Sequence, residues 1–539
     1  MAYLVWFAFE HTARDGLLWV ASRSVSDAER LIDGGVTIPM STDRSVDVIN
    51  GGLIWPLIVL SVPIVLTNLL LVGYNLADTF WVGRLGQAGV SALSYAWAII
   101  FLVISFAIGF NVAGTVLIAQ NKGAGNLDRV GHVAGQTITF VLCLSALFGA
   151  IGYVMAPSLL TLIGAEPGTL EYTYALQYVR AEFIGMPLIF AFFIFQSLLQ
   201  GWGDTRTPLY LMAFSVGVNV VIDPFFILGF QDNVVFAWFG LESLEAWLYN
   251  TTGFDGLAVM GAAIATILSR TLAAVVGLWL LLSGRVGIHL SWQDLLLERA
   301  TVKKIVVIGA PASVEVSTKA SSVTILTALV ALAGAEAVAA YGIGSRVTSM
   351  VVLPALGLAR GVETVVGQNL GAQQVERAKR GVYVGAALIA GALVLFSMAV
   401  FAFASLVVDV FVVGEGAATV VNIGGEYLRI VSLSYVFLGV FYVIQGGFRG
   451  SGSTRAAMIF AIIGFIILRA TFAYALAVPG GMGATGIWYG EAISNVCMLA
   501  IAGWYFLRGT WAAGVIDESN ENQSGGATEV PRSSPRESE

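Results

Sequence analysis

The chain carries Gln120-Asn121-Lys122-Gly123-Ala124 and repeats it as Gln368-Asn369-Leu370-Gly371-Ala372, 248 positions later when counted from 120 to 368. Pro63 recurs at the same interval as Pro311. Two further matches are one position farther apart: Tyr178-Val179-Arg180 with Tyr427-Leu428-Arg429, and Gly203-Asp204-Thr205-Arg206 with Gly452-Ser453-Thr454-Arg455. Self-similarity at one interval marks an internal repeat. The sequence therefore predicts two homologous halves.

The composition places both halves in a membrane. Of the 539 residues, 57% are hydrophobic and 11% are charged, whereas about a quarter of the residues in a soluble domain are charged. A spanning helix needs about 20 mostly apolar residues. Twelve apolar runs fit: 53–82, 90–119, 130–156, 174–199, 208–230, 256–283, 302–333, 337–368, 380–413, 420–447, 456–478 and 483–507. We therefore expect an all-α membrane protein with about 12 transmembrane helices.

Cations lie almost only in the even-numbered connections, such as Lys122 and Arg129 in the second and Arg449 and Arg455 in the tenth. The positive-inside rule then puts both termini in the cytoplasm. We therefore expect a multi-pass protein of the plasma membrane. Each half has six runs, so a pseudo-two-fold axis along the membrane normal relates two six-helix lobes. The predicted segments are a cytoplasmic tail at 1–52, an N-lobe at 53–284, a cytoplasmic linker at 285–301, a C-lobe at 302–508 and a disordered cytoplasmic tail at 509–539.

Enzyme and cofactor signatures are absent from the sequence. It has no Gly-x-x-x-x-Gly-Lys-Ser/Thr loop for ATP. Cys143 and Cys497 lie in apolar runs, and the three histidines are scattered, so we expect no metal site of Cys or His ligands. We predict a transporter that needs no cofactor other than a coupling ion and that binds no nucleic acid.

Two carboxylates lie inside predicted spans, where an ionisable residue is costly and indicates function. Asp78 is in the first run and Asp223 in the fifth, with Asn219 one turn earlier on the same helix face. Their oxygens suit Na⁺, and two adjacent carboxylates also favour a bound proton. The repeat puts Leu326 and Phe472 at the equivalent C-lobe positions, so we predict an ion-coupling site in the N-lobe only. A structural hydrogen-bond cluster is the alternative.

Pro63 lies about four turns before Asp78 in the first run. A proline in a helix interior removes one backbone hydrogen bond and permits a bend. Our hypothesis is that protonation of Asp78 bends the helix at Pro63 and releases the substrate. A static kink is the alternative.

The C-lobe has charges of its own within its predicted spans. Glu315 and Lys319 are four residues apart, and Arg360 and Glu363 are three apart, so each pair shares a helix face. Arg469 and Glu491 lie in the last two runs. Salt bridges that stabilise the lobe are the favoured interpretation, and substrate or cation binding by Glu315 in a cavity is the alternative.

Three motifs resemble those of the multidrug and toxic compound extrusion (MATE) transporters. They are the two Gln-Asn-x-Gly-Ala elements, where we expect Gly to end its helix in a left-handed conformation, and the stretches 75–83 (Asn-Leu-Ala-Asp-Thr-Phe-Trp-Val-Gly) and 201–208 (Gly-Trp-Gly-Asp-Thr-Arg-Thr-Pro). The resemblance spans about 53–507. Asp78 together with Asp223 is most similar to the DinF-like branch.

The resemblance implies a V-shaped pair of lobes that exports amphipathic, often cationic, organic compounds in exchange for Na⁺ or H⁺. It also implies that Thr266 supplies a hydroxyl to the ion site and that Gln196 is a further polar partner. Since one chain carries both lobes, we expect a monomer to function in the lipid bilayer. A flippase for lipid-linked saccharides is the alternative, and a cation-rich cavity would indicate it because such substrates carry pyrophosphate.

Overall fold

The computed structural model describes residues 45–412 and 416–512. Most of the two predicted tails, at 1–44 and 513–539, falls outside the described residues.

Eight helices form the N-terminal half. Their bounds are α1 Ile54–Gly83, α2 Gln87–Gly123, α3 Leu127–Leu162, α4 Leu170–Trp202, α5 Arg206–Leu228, α6 Val234–Phe239, α7 Glu242–Thr252 and α8 Val259–Leu282. The short helices α6 and α7 lie in the acidic, aromatic insertion between the fifth and sixth spans. A 3₁₀ turn, Trp292–Leu295, follows in the linker.

The C-terminal half continues with α9 Arg299–Ala331, α10 Ala335–Gly371, α11 Val375–Asp409, α12 Ala417–Ser432, α13 Tyr435–Gly450, α14 Thr454–Ala461, α15 Arg469–Ala477 and α16 Gly483–Leu507. A π-helical segment, Ile462–Leu468, joins α14 to α15 within one span.

The predicted number of spans is confirmed. Eleven helices of the described chain are long and apolar enough to cross a membrane, and α12 with α13 forms a twelfth that is bent by 51°. The sequence predicted this tenth span as one run, 420–447. It is broken because the hydroxyls of Ser432 and Ser434 at the junction bond back to the carbonyls of Arg429 and Val431, a local bonding that competes with the helix.

The two lobes exchange their first helices in part. Leu53, Leu57 and Leu60, at the start of α1, belong to the apolar core of the C-lobe. Reciprocally, Ile305 and Ile308, at the start of α9, belong to the core of the N-lobe. The α1 helix packs on α10, and α2 packs on α9, as a two-fold axis requires. The predicted lobe limits at 53–284 and 302–508 divide the chain into two consecutive halves. The two apolar cores do not match these limits, because each core includes residues from the first helix of the other lobe.

Reciprocal hydrogen bonds join the lobes on the side where α2 and α10 end, which we call the basic side because its loops carry the cations. Gln120 Nε2 donates to the carbonyl of Gly450, and Gln368 Nε2 donates to the carbonyl of Gly201, each at 3.0 Å. We call these two bonds the glutamine latch. They pair positions that the sequence repeat makes equivalent.

The glycines of the repeated motif serve this contact. Neither Gly123 nor Gly371 has a positive φ, so the expected left-handed cap is wrong, and Gly125 and Gln373 occupy that conformation instead. A Cβ on Gly123 would overlap the carbonyl of Gln368. The motifs therefore need glycine because the two helices approach closely there.

The ends of the core extend further than the sequence predicts. Helix α9 begins at Arg299, inside the predicted linker. Thr510–Ala512 forms a 3₁₀ turn in which Trp511 is buried and its indole donates to the carbonyl of Phe506 at 2.9 Å. The predicted disordered tail at 509–539 thus begins with an ordered turn. The turn is stable because the Trp511 indole is buried and its polar N–H has a hydrogen-bond acceptor.

Candidate functional site in the membrane-spanning helices

Four N-lobe helices each present a polar pair spaced by four residues, which puts both members on one face. Every member is at most 5% exposed. The pairs are Tyr74 with Asp78 on α1, Tyr178 with Glu182 on α4, Asn219 with Asp223 on α5, and Thr266 with Arg270 on α8. We call these eight residues the N-lobe cluster.

The centre of the cluster is formed by Asp78, Asn219 and Asp223, as the sequence predicts. Asn219 Nδ2 donates to Asp223 Oδ1 at 2.9 Å. The Asp78 carboxyl group lies within hydrogen-bonding reach of both Asp223 and Asn219. Because ionised carboxylates only accept hydrogen bonds, a bond between the two carboxyl groups needs a proton on one of them.

Three oxygens at this centre have no hydrogen-bond partner among the described residues: Asp78 Oδ1, Asn219 Oδ1 and Asp223 Oδ2. All three are buried, and a buried acceptor without a partner costs roughly 1–3 kcal/mol. Carboxylate and amide oxygens are hard ligands that suit a proton or a small cation. The donor set therefore fits either predicted coupling ion.

Thr266 is joined to this centre through a tyrosine. Its hydroxyl accepts a hydrogen bond from the Tyr74 hydroxyl, and Tyr74 lies one turn from Asp78 on α1. The described hydrogen bonds do not link Thr266 directly to either carboxylate. The predicted residue is thus at the edge of the cluster rather than at its centre.

The structure does not bring Gln196 to the site. Gly185 of α4 packs against Ile267 of α8, and farther along the same pair Phe195 packs against Gly277. Gln196 is therefore level with Gly277, and the step from Thr266 to Gly277 is about 16 Å along a helix. The described contacts therefore do not join Gln196 to the N-lobe cluster, and its role as a further polar partner stays a prediction.

Glu182 and Arg270 are charged members that the sequence interpretation missed. Glu182 Oε1 is buried without a hydrogen-bond partner among the described residues. The Arg270 guanidinium lies 5.1 Å from the ring centroids of both Tyr74 and Phe193. Both residues stand within predicted apolar runs, at 174–199 and 256–283, so the rule that identified Asp78 could have found them.

Pro63 lies inside an uninterrupted α1. Its ring removes the N–H that would bond the carbonyl of Val59. The Thr205 hydroxyl, just before α5, donates to that carbonyl at 3.4 Å instead. A residue outside α1 therefore stabilises the helix at the point where Pro63 weakens it. Bending at Pro63 on protonation stays a prediction.

A second group of charges is buried in the C-lobe, and Arg449 is its centre. Arg449 Nη1 lies 2.7 Å from Glu315 Oε1, and its Nε lies 3.0 Å from Glu363 Oε2. Lys319 adds a 2.6 Å contact to Glu315, and Arg360 adds one of 3.2 Å to Glu363. The two predicted pairs are therefore parts of one network, which we call the C-lobe network.

Arg449 corrects the sequence interpretation, which counted it as a cation of the tenth connection. It lies in the last turn of α13 and is 5% exposed. Hydropathy misplaced it because the run 420–447 ends two residues earlier, and because its two carboxylate partners lie on other helices.

Arg469 and Glu491 form a separate buried pair at 4.0 Å. Arg469 also donates to Ser494 and Asn495, and the Tyr427 hydroxyl donates to Glu491 at 3.3 Å. Both members of this pair therefore make further hydrogen bonds within the C-lobe, as expected for a structural salt bridge.

The family model described as MatE matches residues 63–225 and 311–475, one match in each lobe. The chain belongs to the MatE family. The first match contains Asp78, Glu182 and Asp223, and the second contains the whole C-lobe network.

Known MatE relatives extend over most of the chain. The probable multidrug resistance protein YoeA of Bacillus subtilis is 28% identical over 455 residues, which is 82% of this chain and 91% of the relative. The probable multidrug resistance protein NorM of Thermotoga maritima is 25% identical over 458 residues, or 84% and 92% of the two chains.

A solved structure confirms the fold. The crystal structure of a MATE protein in complex with MaL6 superposes with a TM-score of 0.75 at 23% identity, covering 87% of this chain and 99% of the other. This MatE chain therefore has the two-lobed fold of that membrane transporter, with six helices in each lobe.

Proposed function

We propose that this protein is a secondary active exporter of small organic compounds, coupled to the entry of Na⁺ or H⁺ through Asp78 and Asp223. Its relatives carry names as multidrug resistance proteins, which supports export of amphipathic and often cationic compounds. We place it in the plasma membrane, with both termini in the cytoplasm and the monomer as the working unit. Membership of the DinF-like branch stays a prediction.

One observation carries the coupling role: the centre of the N-lobe cluster has two carboxyl groups in mutual contact and three buried oxygens without a partner among the described residues. A buried site with unsatisfied acceptors gains free energy when a cation or proton binds. Asp78, Asn219 and Asp223 would hold Na⁺ as ligands, whereas the two carboxyl groups alone suffice for a proton.

The coupling follows from the positions of these residues on different helices. Asp78 is on α1, which packs on α10 of the C-lobe, and Asp223 is on α5. Ion binding replaces repulsion between two carboxylates by attraction, and this favours one packing of α1 against α5 over another. An ion that binds the two packings unequally shifts their populations, and transporters of this plan expose the site alternately to the two sides.

A flippase for lipid-linked saccharides is the less favoured function. Its substrates carry a pyrophosphate, which the cations of the C-lobe network would suit but the carboxylates of the N-lobe cluster would repel. The names of the relatives also favour small organic compounds.

The test is efflux of a cationic dye, rhodamine 123, from proteoliposomes under an imposed Na⁺ or pH gradient. We expect one gradient to drive efflux and Asp78→Asn to abolish that dependence, with Asp223→Asn behaving alike. Glu376→Gln, which neutralises an exposed carboxylate on α11, is the matched control and should leave efflux unchanged. Efflux that ignores both gradients, or that survives in Asp78→Asn, would overturn the proposal.

A further inference from the structure

The C-lobe network contains more positive than negative charge. Three cations, Lys319, Arg360 and Arg449, share two carboxylates, Glu315 and Glu363. Arg449 already contacts both carboxylates and is only 6% exposed at its side chain. Lys319 and Arg360 therefore supply one positive charge beyond what neutralises the network. An uncompensated charge is expensive at membrane depth, and a bound anion would offset it.

The two outer cations are also the accessible ones. The Lys319 side chain is 17% exposed and the Arg360 side chain 22%, whereas Glu315 and Glu363 are at most 1% exposed. Each of the two cations uses a single nitrogen in its contact with the network. A lysine ammonium has three donors and a guanidinium has five, so both retain donors for a ligand.

Each of the two cations shares a helix face with residues that contact the N-lobe. Lys319 is seven residues, or two turns, beyond Ala312 on α9, and Ala312 packs with Val112 and Val116 of α2. Arg360 stands between Gly357, which packs against α1, and Thr364, whose hydroxyl donates to the carbonyl of Gln200 on α4. The excess charge thus lies on helix faces that border the N-lobe, and Lys319 Nζ also lies 4.8 Å from the ring centroid of Tyr442 in the C-lobe.

We infer that Lys319 and Arg360 form a subsite for an anionic group of the transported compound, a carboxylate, phosphate or sulfonate. The inference rests on the proposed function for the direction of transport but not for binding. It predicts substrates that carry a negative group beside their apolar or cationic part, in addition to purely cationic compounds. Arg449 holds the two carboxylates and does not itself contact the ligand.

Two dyes that share a fluorophore test this subsite. Rhodamine 110 has a free benzoate, and rhodamine 123 is its methyl ester. Fluorescence anisotropy in phosphatidylcholine nanodiscs, with no ion gradient, should show tighter binding of rhodamine 110. Lys319→Gln and Arg360→Gln should each weaken rhodamine 110 binding about ten-fold, the size expected for one charge-assisted hydrogen bond, and change rhodamine 123 binding less than two-fold.

Three variants serve as controls. Lys319→Arg keeps the charge and should keep the preference for the acid. Lys379→Gln removes a lysine that pairs with Glu376 on the exposed surface of α11 at 2.7 Å, and it should affect neither dye. Asp78→Asn should keep the preference, so failure of ion coupling is distinguishable from failure of the subsite.

Several results would overturn the inference. Equal losses for both dyes would assign Lys319 and Arg360 a purely structural role, and no loss in either variant would remove the subsite. A lipid headgroup is tested separately with NBD-labelled phosphatidylglycerol and dithionite quenching in liposomes. Lys319-dependent translocation of that lipid, without a preference for rhodamine 110, would assign the anion to lipid and contradict a soluble substrate.

Discussion

The buried carboxylates of the two lobes differ in their partners. In the C-lobe each of them has a cation within 4.0 Å: Glu315, Glu363 and Glu491. In the N-lobe no described cation comes that close to any of the three buried carboxylates inside helices, Asp78, Glu182 and Asp223; a fourth, Asp204, lies between α4 and α5 and accepts hydrogen bonds from the backbone of Arg206 and Thr207. The single buried guanidinium there, Arg270, lies over aromatic rings instead.

This difference separates carboxylates that are held in ion pairs from carboxylates that are available for binding. The charge of a paired buried carboxylate is already offset, even where one oxygen, Glu315 Oε2, has no hydrogen-bond partner among the described residues, and removing a member of its network exposes the others to the full cost of burial. An unpaired carboxylate lowers that cost by taking up a proton or a cation. The repeat thus provides two similar scaffolds, and only the first carries these carboxylates, since Leu326 and Phe472 stand at the places of Asp78 and Asp223 in the second.

The largest effect that we expect is on stability, in a pair of matched substitutions. Glu363→Gln should lower the free energy of unfolding by about 3–5 kcal/mol, because Arg360 and Arg449 would then share only Glu315 with Lys319. Glu182→Gln, the same change at an unpaired buried carboxylate, should change it by less than about 1 kcal/mol. Thermal unfolding of the two purified variants in one detergent measures this, and equal losses would contradict the contrast between the lobes.

The second prediction concerns transport, where we expect a large effect at Glu182, the position with the small effect on stability. Glu182→Gln should reduce gradient-driven efflux about ten-fold, because Glu182 lies within electrostatic reach of Asp78 and Arg270 and the amide can no longer take up or release a proton beside the ion site. Gln445→Ala, a change at a buried polar residue of the C-lobe, is the control and should leave the ion dependence of efflux intact. Initial rates in proteoliposomes at a fixed gradient give the answer. A normal rate for Glu182→Gln would restrict the coupling site to Asp78 and Asp223.

The third prediction concerns the glutamine latch, in which each lobe donates an equivalent hydrogen bond to the other. Gln120→Ala and Gln368→Ala each remove one bond between the lobes, worth about 1 kcal/mol, and should populate states in which the basic side is open. Spin labels on exposed Arg129 and Glu376 report the separation, after replacement of Cys143 and Cys497 by serine. We expect longer distances in both variants.

The control for the latch is Gln87→Ala, at an exposed glutamine where α2 begins, and its distances should match those of the parent protein. Opening in only one of the two latch variants would show that the bonds are not equivalent. It would then extend the asymmetry of the buried charges to the contact between the lobes.

The sequence predicts the fold well because hydropathy and repetition are local or linear signals. They yield twelve spans, two lobes and the meeting of Asp78, Asn219 and Asp223. They do not yield the bend between α12 and α13, which depends on serine hydroxyls at one turn, nor the exchange of α1 and α9 between cores. Residues that meet across helices, such as Arg449 with its carboxylates, require the packing itself.

The smallest effect that we expect compares two equivalent threonines. Thr205 and Thr454 occupy matching places in the repeat, yet the Thr205 hydroxyl donates to the Val59 carbonyl that Pro63 leaves unbonded, whereas the Thr454 hydroxyl is buried without a partner among the described residues. Thr205→Val should therefore cost about 0.5–1 kcal/mol of stability, and Thr454→Val should be neutral or slightly stabilising. Thermal unfolding separates the two outcomes, and an equal cost at both positions would mean that the hydroxyl does not support α1 at Pro63. If Thr205→Val also alters gradient-driven efflux while Thr454→Val does not, the weak point of α1 contributes to transport, and the two lobes differ in mobility as well as in charge.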